Sequence, residues 1–131
     1  MKNQGVEAAM RSIDNITEIT QEMYDALCDK HGGGKDLLSI NVVDEDSGQE
    51  EHEFMFGSLS SAKLSLANKL LMEERDVNGY NDSIIFACAL NGKNILRAND
   101  NIRRAIYKHV DRLVTSHSAT VKKRKRTPKE S

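Results

Sequence analysis

The chain has 131 residues and a mass of 14.7 kDa, which is enough for one folded domain but too little for two. Charged residues make up 30% and hydrophobic residues 38%, a composition that excludes collagen-like and strongly disordered chains. No apolar run approaches the roughly 20 residues of a membrane helix, and the first residues do not resemble a secretory signal. We therefore expect a cytoplasmic protein, in the cytoplasm or nucleus of the host if it is viral.

The formal net charge of −1 hides a strong asymmetry along the chain. Residues 1–54 carry thirteen acidic and four basic side chains, a net charge of −9. Residues 55–116 carry nine basic and six acidic side chains, and residues 117–131 carry six basic and one acidic. An acidic first half followed by an increasingly basic second half is typical of proteins that bind charged partners.

The first segment predicts a helix. Between Val6 and Leu27 apolar residues recur at steps of three and four, as on one face of an amphipathic helix. The pattern indicates a long N-terminal helix from about residue 4 to residue 30, with Asn3 as its N-cap and glycines from Gly32 at its end. Such a helix measures roughly 40 Å, whereas a body of this size is roughly 34 Å across. We therefore expect the helix to bend, protrude or be shared with a second subunit, which favours a homodimer.

The next segment predicts an antiparallel β-hairpin, and its apolar residues set the register. The loop is Asp46 to Gly48, with Gly48 in the left-handed conformation. The core face then pairs Val42 with His52, Ile40 with Phe54 and Leu38 with Phe56. The other face pairs Val43 with Glu51, Asn41 with Glu53 and Ser39 with Met55, and we expect it to face solvent.

A second helix follows, with Ser58 as its N-cap and its end near Arg75, before a turn at Asn78-Gly79. It has two apolar stripes, Leu59, Ala62, Leu66 and Leu70 on one side and Leu64, Ala67 and Leu71 on the other. A helix with two apolar stripes is buried on two sides, so we expect this one to be the central helix.

The apolar run from Ile84 to Leu90 has no clear period and fits either a helix or one strand of a hairpin that turns at Asn91-Gly92. Its alanines favour the helix. A last helix has Asn99 or Asp100 as its N-cap and ends near Ser116.

These elements predict an α+β fold, predominantly α-helical, with a long N-terminal helix, one antiparallel β-hairpin, and central and C-terminal helices. Residues 1–116 form this single domain. Residues 117–131 have no apolar pattern that could offset the entropy of folding, so they predict a flexible basic tail.

The basic residues of the second half form two groups. The tail holds five consecutive cations, Lys122, Lys123, Arg124, Lys125 and Arg126. On the last helix Arg104, Lys108 and Arg112 stand four residues apart, a spacing that places them on one face. Both groups are candidates for contact with the phosphates of a nucleic acid. The tail run also fits a nuclear-import signal or a solubilising end.

The acidic residues form two groups as well. Asp14, Glu18 and Glu22 stand four apart on the predicted first helix, and the hairpin adds Glu50, Glu51 and Glu53. Like charges at this spacing repel by about 0.2–0.5 kcal/mol per pair unless cations oppose them. We expect one of two arrangements. Either the basic face of the last helix lies across the acidic face, within or between subunits, or the acidic residues face a basic protein partner.

The sequence indicates neither a metal site nor a catalytic site. Cys28 and His31 form a C-x-x-H pair, but zinc ligands normally come as two close pairs and no second pair exists. The hairpin departs from a calcium loop, because Gly48 comes one place early and Met55 stands where a glutamate ligand belongs. Nucleotide-binding glycine motifs and locally spaced nucleophile–base pairs are absent from the sequence, so we expect no cofactor and no enzymatic activity. Cys28 and Cys88 lie in apolar patterns that fit buried thiols.

These features favour a small non-enzymatic regulatory or adaptor protein that binds a protein partner through its acidic folded part and nucleic acid through its basic tail. The alternative is a protein-only inhibitor that mimics nucleic acid, with the acidic helix and hairpin as its working surface. Charge segregation in a small chain with few motifs is frequent among phage and plasmid regulators.

Overall fold

The computed structural model describes residues 2–33, 36–45, 48 and 50–115, with side chains from residue 6 onward. The described chain is an α+β fold that is predominantly helical. In chain order its elements are α1 (Lys2–Arg11), a 3₁₀ helix (Ile13–Asn15), α2 (Gln21–His31), β1 (Leu38–Asp44), β2 (Glu50–Phe56), α3 (Ser61–Glu73), α4 (Val77–Cys88), α5 (Lys93–Ala98) and α6 (Asp100–Tyr107). Residues 110–115 add a further helical segment after α6. None of the helices in this part of the chain is long and apolar enough to cross a membrane.

The N-terminal region is interrupted, so the prediction of one long helix over residues 4–30 is wrong. α1 ends at Arg11, and after the 3₁₀ helix the backbone becomes extended, with Ile16 at φ −110° and ψ 128°. Thr20 then starts α2 as its N-cap, and its hydroxyl accepts a hydrogen bond from the Met23 N–H. The β-branched residues between the two helices favour the extended backbone. Because no single helix spans residues 2–33, helix length is no longer a reason to expect a homodimer.

The hairpin has the predicted register. β1 and β2 are antiparallel, Leu38 pairs with Phe56, and Ile40 pairs with Phe54. Gly48 has φ 83°, the left-handed conformation that the turn requires, while Asp46 and Ser47 lie outside the described residues. The core face is buried as expected, with Ile40, Val42, Phe54 and Phe56 all at most 7% exposed.

The opposite face of the hairpin is only partly open to solvent, which corrects the prediction for its Ser39–Met55 end. Met55 is fully buried. The start of α2 lies over this end, because the Tyr24 hydroxyl accepts a hydrogen bond from the Leu37 N–H and lines a groove together with Ser39 and Glu53. The outer face therefore stays exposed mainly toward the turn, at Asn41, Val43 and Glu51.

The main core lies between the hairpin and helices α4 and α6. Its fully buried members include Phe54, Ile84, Ile85, Leu96, Ile102, Ile106 and Leu113. α3 packs against α4 at the edge of this core, and of its residues only Ala67 is buried, so the prediction that α3 is the central helix is wrong. One apolar stripe of α3 faces α4, and Leu66 on the other stripe is 57% exposed.

The apolar run after α3 is helical up to Cys88 and belongs to α4, whereas Ala89 is extended and forms an isolated antiparallel bridge with Phe56. α4 begins earlier than expected, because the Asp76 side chain caps it by accepting a hydrogen bond from the Gly79 N–H at 2.8 Å. The predicted turn at Asn78-Gly79 therefore does not exist; both residues are in the first turn of the helix. The last helix has the predicted cap, since the Asn99 side chain accepts a hydrogen bond from the Ile102 N–H. α6 ends at Tyr107, so the prediction of one continuous helix to Ser116 is wrong; Ser116 itself lies outside the described residues.

The end of α3 offers a test of local backbone strain. Arg75 follows the helix at φ 55°, a left-handed conformation that glycine adopts more easily than arginine, and the Asp76 N–H closes the turn on the Leu70 carbonyl. We expect Arg75→Gly to raise the free energy of unfolding by about 0.5–1 kcal/mol. Urea unfolding followed by circular dichroism measures this change. A lower stability of the variant would show that the Arg75 side chain contributes more than its backbone costs.

Candidate charged binding surfaces

An extended segment of the chain lies along β2 and forms one wall of a groove. The segment is residues 16–20, between the 3₁₀ helix and α2. The Thr17 carbonyl accepts a hydrogen bond from the Glu53 N–H at 2.8 Å, and the Thr17 hydroxyl is hydrogen-bonded to Nδ1 of His52 at 2.8 Å. These two bonds fix the segment against the edge of β2 that faces away from β1. His52 is partly buried, as its position opposite Val42 predicts.

Four carboxylates line this groove, which is open to solvent and has a volume of about 490 Å³. They are Glu18, Glu50, Glu51 and Glu53, and we call the site the acidic groove. Glu18 comes from the extended segment, whereas the three others come from β2. The fold thus joins one residue of the predicted acidic helix with all three predicted hairpin residues.

No lysine or arginine of the described chain forms an ion pair with the acidic groove. Glu50 has an oxygen 3.8 Å from Nε2 of His52, which is an ion pair only when the imidazole is protonated. Glu53 accepts a hydrogen bond from the Ser39 hydroxyl at 2.6 Å, a neutral donor. The groove therefore gathers four carboxylates with no lysine or arginine of the described chain paired to them, and a solvent-exposed concentration of like charge attracts cations.

The remaining two residues of the predicted acidic face lie elsewhere. Asp14 is in the 3₁₀ helix, and Glu22 is in the first turn of α2, with the extended segment between them. Both side chains are exposed. The prediction that Asp14, Glu18 and Glu22 share one helix face is wrong, because the helix that would align them is interrupted. Glu22 instead stands at a helix N-terminus, where the helix dipole favours a negative charge.

The predicted basic face of the last helix is exposed. Arg104 lies in α6, Lys108 follows its last turn, and Arg112 lies in the helical segment 110–115. The buried residues Ile102 and Val110 show that both segments keep the same side toward the core. Their opposite side forms what we call the basic face, made of Arg104, Lys108 and Arg112.

The basic face and the acidic residues Asp14, Glu18 and Glu22 do not neutralise each other within the described chain. None of the three side chains of the basic face comes within ion-pair distance of a carboxylate there, and neither Asp14, Glu18 nor Glu22 meets a cation. The expectation of an internal pairing between these groups is therefore wrong for this part of the protein. A pairing between subunits stays a prediction, as does the binding of charged partners.

The five tail cations, Lys122, Lys123, Arg124, Lys125 and Arg126, lie outside the described residues. Their role in nucleic-acid binding stays a prediction from the sequence.

A polar cluster that sequence reasoning missed joins α4, α5 and α6. The Arg103 guanidinium donates hydrogen bonds to the carboxylates of Asp82 and Asp100 and to the carbonyl of Leu96, and the Tyr107 hydroxyl donates to Asp82 at 2.6 Å. Arg103 thus closes the end of α5 and ties α6 to α4. Only its spacing of three from Asp100 was visible in the sequence, because Asp82 is distant in the chain. The members of the cluster satisfy one another's hydrogen-bonding groups, so the cluster has a structural role.

Cys88 is buried in the core, and Tyr107 is partly buried and packed against it. Burial raises the pKa of the Cys88 thiol to about 11, so the thiolate that would act as a nucleophile is scarce at neutral pH. Burial, together with the hydrogen bond to Asp82, raises the pKa of Tyr107 above its ordinary value. Within the described residues no group of three histidine, cysteine or acidic side chains is placed to hold a metal ion.

Comparison of the chain with models of protein families, with curated proteins and with solved structures finds no significant match.

Proposed function

We propose that this protein is a small non-enzymatic adaptor that holds a basic protein segment in the acidic groove and binds nucleic acid through its tail and the basic face. One observation carries the proposal. The carboxylates of the groove and the cations of the basic face lie on the same fold without opposite charges to neutralise them in the described chain. Charges left exposed in this way steer and bind partners of opposite sign.

The groove suits a basic protein segment in particular. Its walls combine carboxylates with the apolar parts of Thr17 and Ile19. Lysine and arginine place a methylene stem on an apolar surface while the charged end reaches an anion, so one such side chain can use both features. The groove is shallow and open, which fits side chains of a macromolecule better than an enclosed small molecule.

The nucleic-acid part of the proposal depends on the cations of the C-terminal region. The basic face adds three exposed side chains to the five consecutive cations of the tail. Such cations bind phosphates and release the counterions condensed on nucleic acid, without reading its sequence. The structure offers no exposed row of aromatic side chains in its described part for stacking on bases, so we expect duplex rather than single-strand binding.

One of the observations that favoured the alternative function, an inhibitor that mimics nucleic acid, no longer holds. A mimic requires acidic residues at regular spacing, and the row predicted at Asp14, Glu18 and Glu22 is broken by the extended segment. We also place the protein in the cytoplasm as part of the proposal. Cys28 and Cys88 are buried and unpaired, as is usual in a reducing compartment.

A titration with a labelled lysine- and arginine-rich peptide tests the groove. The chain used ends at residue 117, so that its own basic tail cannot occupy the groove. We expect the triple variant Glu18→Gln, Glu50→Gln, Glu51→Gln to bind the peptide about tenfold more weakly. Three exposed ion pairs at about 0.2–1 kcal/mol each account for a loss of this size. Fluorescence anisotropy at low salt gives the two dissociation constants.

A matched control separates the groove from the overall charge. The triple variant Glu7→Gln, Asp29→Asn, Asp111→Asn removes the same number of exposed carboxylates outside the groove. We expect it to change the affinity by less than about twofold, because exposed charges far from the peptide are screened. If the control weakens binding as much as the groove variant, the acidic groove is not the binding site.

A further inference from the structure

α3 carries an apolar stripe that its own fold leaves uncovered. Leu66, at the centre of this stripe, is 57% exposed, Ala62 is exposed and Leu70 is only partly buried. Three of the four large apolar side chains that are strongly exposed in the described chain belong to α3 or to the first residue of α4: Leu66, Met72 and Val77. The other side of α3 packs on α4, so the stripe faces away from the core.

The charges of α3 oppose its own helix dipole. Lys63 stands near the N-terminus, which carries partial positive charge, whereas Glu73 and Glu74 stand at the C-terminus, which carries partial negative charge. No acidic residue occupies the first turn and no basic residue the last. None of these three side chains forms an ion pair within the described chain. A neighbouring helix that runs in the opposite direction would offset both ends.

We propose that the exposed stripe of α3 binds α3 of a second copy of this chain in an antiparallel pair. A two-fold axis near Asn68 sets Leu66 opposite Leu70 of the second copy. The same axis sets Lys63 opposite Glu73 of the second copy, with Glu74 close by. Each interaction occurs twice, as in any pair related by a two-fold axis. A parallel pairing would instead set Lys63 against Lys63, which like-charge repulsion disfavours.

The size of the stripe sets the strength of the pair. Two helices of 13 residues bury less than the roughly 1,200 Å² that marks a standard protein interface, so the pair belongs to the weak class. We expect a dissociation constant on the order of 10 μM. α3 is separate from the acidic groove and from the basic face, so this inference does not depend on the proposed function.

Sedimentation equilibrium of the full chain, from about 1 μM to about 1 mM, measures the dimer directly. We expect Leu66→Asp to raise the dissociation constant at least tenfold, because it places a charge at the centre of the apolar contact. Val43→Asp is the matched control, since Val43 is 48% exposed on the hairpin and away from α3. Circular dichroism of each variant verifies that the fold is retained.

A charge exchange tests the antiparallel direction. Lys63→Glu alone and the double variant Glu73→Lys, Glu74→Lys should each weaken the dimer, because each sets like charges against each other. The triple variant that combines them restores opposite charges across the interface and should dimerise like the wild type. A monomer over the whole concentration range overturns the proposal. So does a dimer that Leu66→Asp leaves intact, or a triple variant weaker than both of its parents.

Discussion

Replacing Asn91 by alanine is expected to lower the free energy of unfolding by about 4 kcal/mol, a large part of the roughly 5–15 kcal/mol typical of a domain. The side chain is fully buried and makes three hydrogen bonds. Its Oδ1 accepts from the Met55 N–H at 2.7 Å, and its Nδ2 donates to the carbonyls of Ile16 and Glu53 at 2.8 and 2.9 Å. Alanine leaves three backbone groups without these partners, each at a cost of about 1–3 kcal/mol.

Asn94 supplies a matched control for this prediction. It lies three residues further on, is exposed, donates one hydrogen bond to Oδ1 of Asn15 and accepts one from the Arg97 guanidinium. Asn94→Ala should cost less than about 1 kcal/mol, because water replaces an exposed partner. Urea unfolding followed by circular dichroism compares the two variants, since the chain has no tryptophan. Equal losses for Asn91→Ala and Asn94→Ala would contradict the role assigned to the buried side chain.

The same bonds connect stability to the acidic groove. Asn91 binds the Ile16 carbonyl at the start of the extended segment, and on β2 it binds the Glu53 carbonyl and the Met55 N–H. Gly92 donates a hydrogen bond to the Ile13 carbonyl, and at φ 65° it lies so close to Phe54 that a Cβ would come within 2.7 Å of the ring. The Asn91-Gly92 pair therefore holds one wall of the groove in place.

The hairpin could be predicted from the sequence because the residues that determine its register and turn are close together in the chain. A strand has a period of two, and a shift of one residue would turn Ile40 and Val42 toward glutamates, so only one register keeps the apolar side chains together. The turn also required a left-handed residue, and Gly48 provides it.

The interruption of the N-terminal helix could not be predicted in the same way. The spacing of Ile13, Ile16 and Ile19 fits a helix as well as the observed chain, and the preference of the β-branched residues for extended backbone is too weak to indicate a break. The interactions that determine the conformation of this segment come from residues far away in the sequence. The Asn91 side chain and the edge of β2 offer hydrogen bonds to extended backbone, and tertiary bonds of this kind outweigh a weak helical preference.

For the charged surfaces too, the sequence groups residues that are close together in the chain but not residues that the fold brings together from distant positions. Glu50, Glu51 and Glu53 were found together because they share a strand, whereas Glu18 joined them through the break in the helix. Arg103 and Arg104 are neighbours in the chain with different roles. Arg103 faces Asp82 on α4 and is engaged, and Arg104 points to solvent. Sequence spacing gives the face of a helix but not what lies opposite it.

The affinity for duplex DNA is expected to fall steeply as the salt concentration rises. The steepness of this fall gives the number of cations that contact phosphate. Each phosphate contact contributes about −0.9 to the slope of log affinity against log salt concentration. The five tail cations alone give about −4.5, a loss of about 500-fold between about 50 and about 200 mM salt. With the three cations of the basic face the slope becomes about −7, a loss of about 20,000-fold over the same range.

Two variants measure how much of this slope comes from the tail and how much from the basic face. A chain that ends at residue 117 should lose most of its affinity. The triple variant Arg104→Gln, Lys108→Gln, Arg112→Gln should flatten the slope by about 2.7 while the tail still binds. Arg11→Gln, Lys30→Gln, Lys69→Gln is the control, because it removes the same charge from exposed positions on other helices. A full chain whose binding does not respond to salt contradicts nucleic-acid binding altogether. If the basic-face variant has the same slope as the wild type, the tail alone contacts the nucleic acid, because only cations that contact phosphate contribute to the slope.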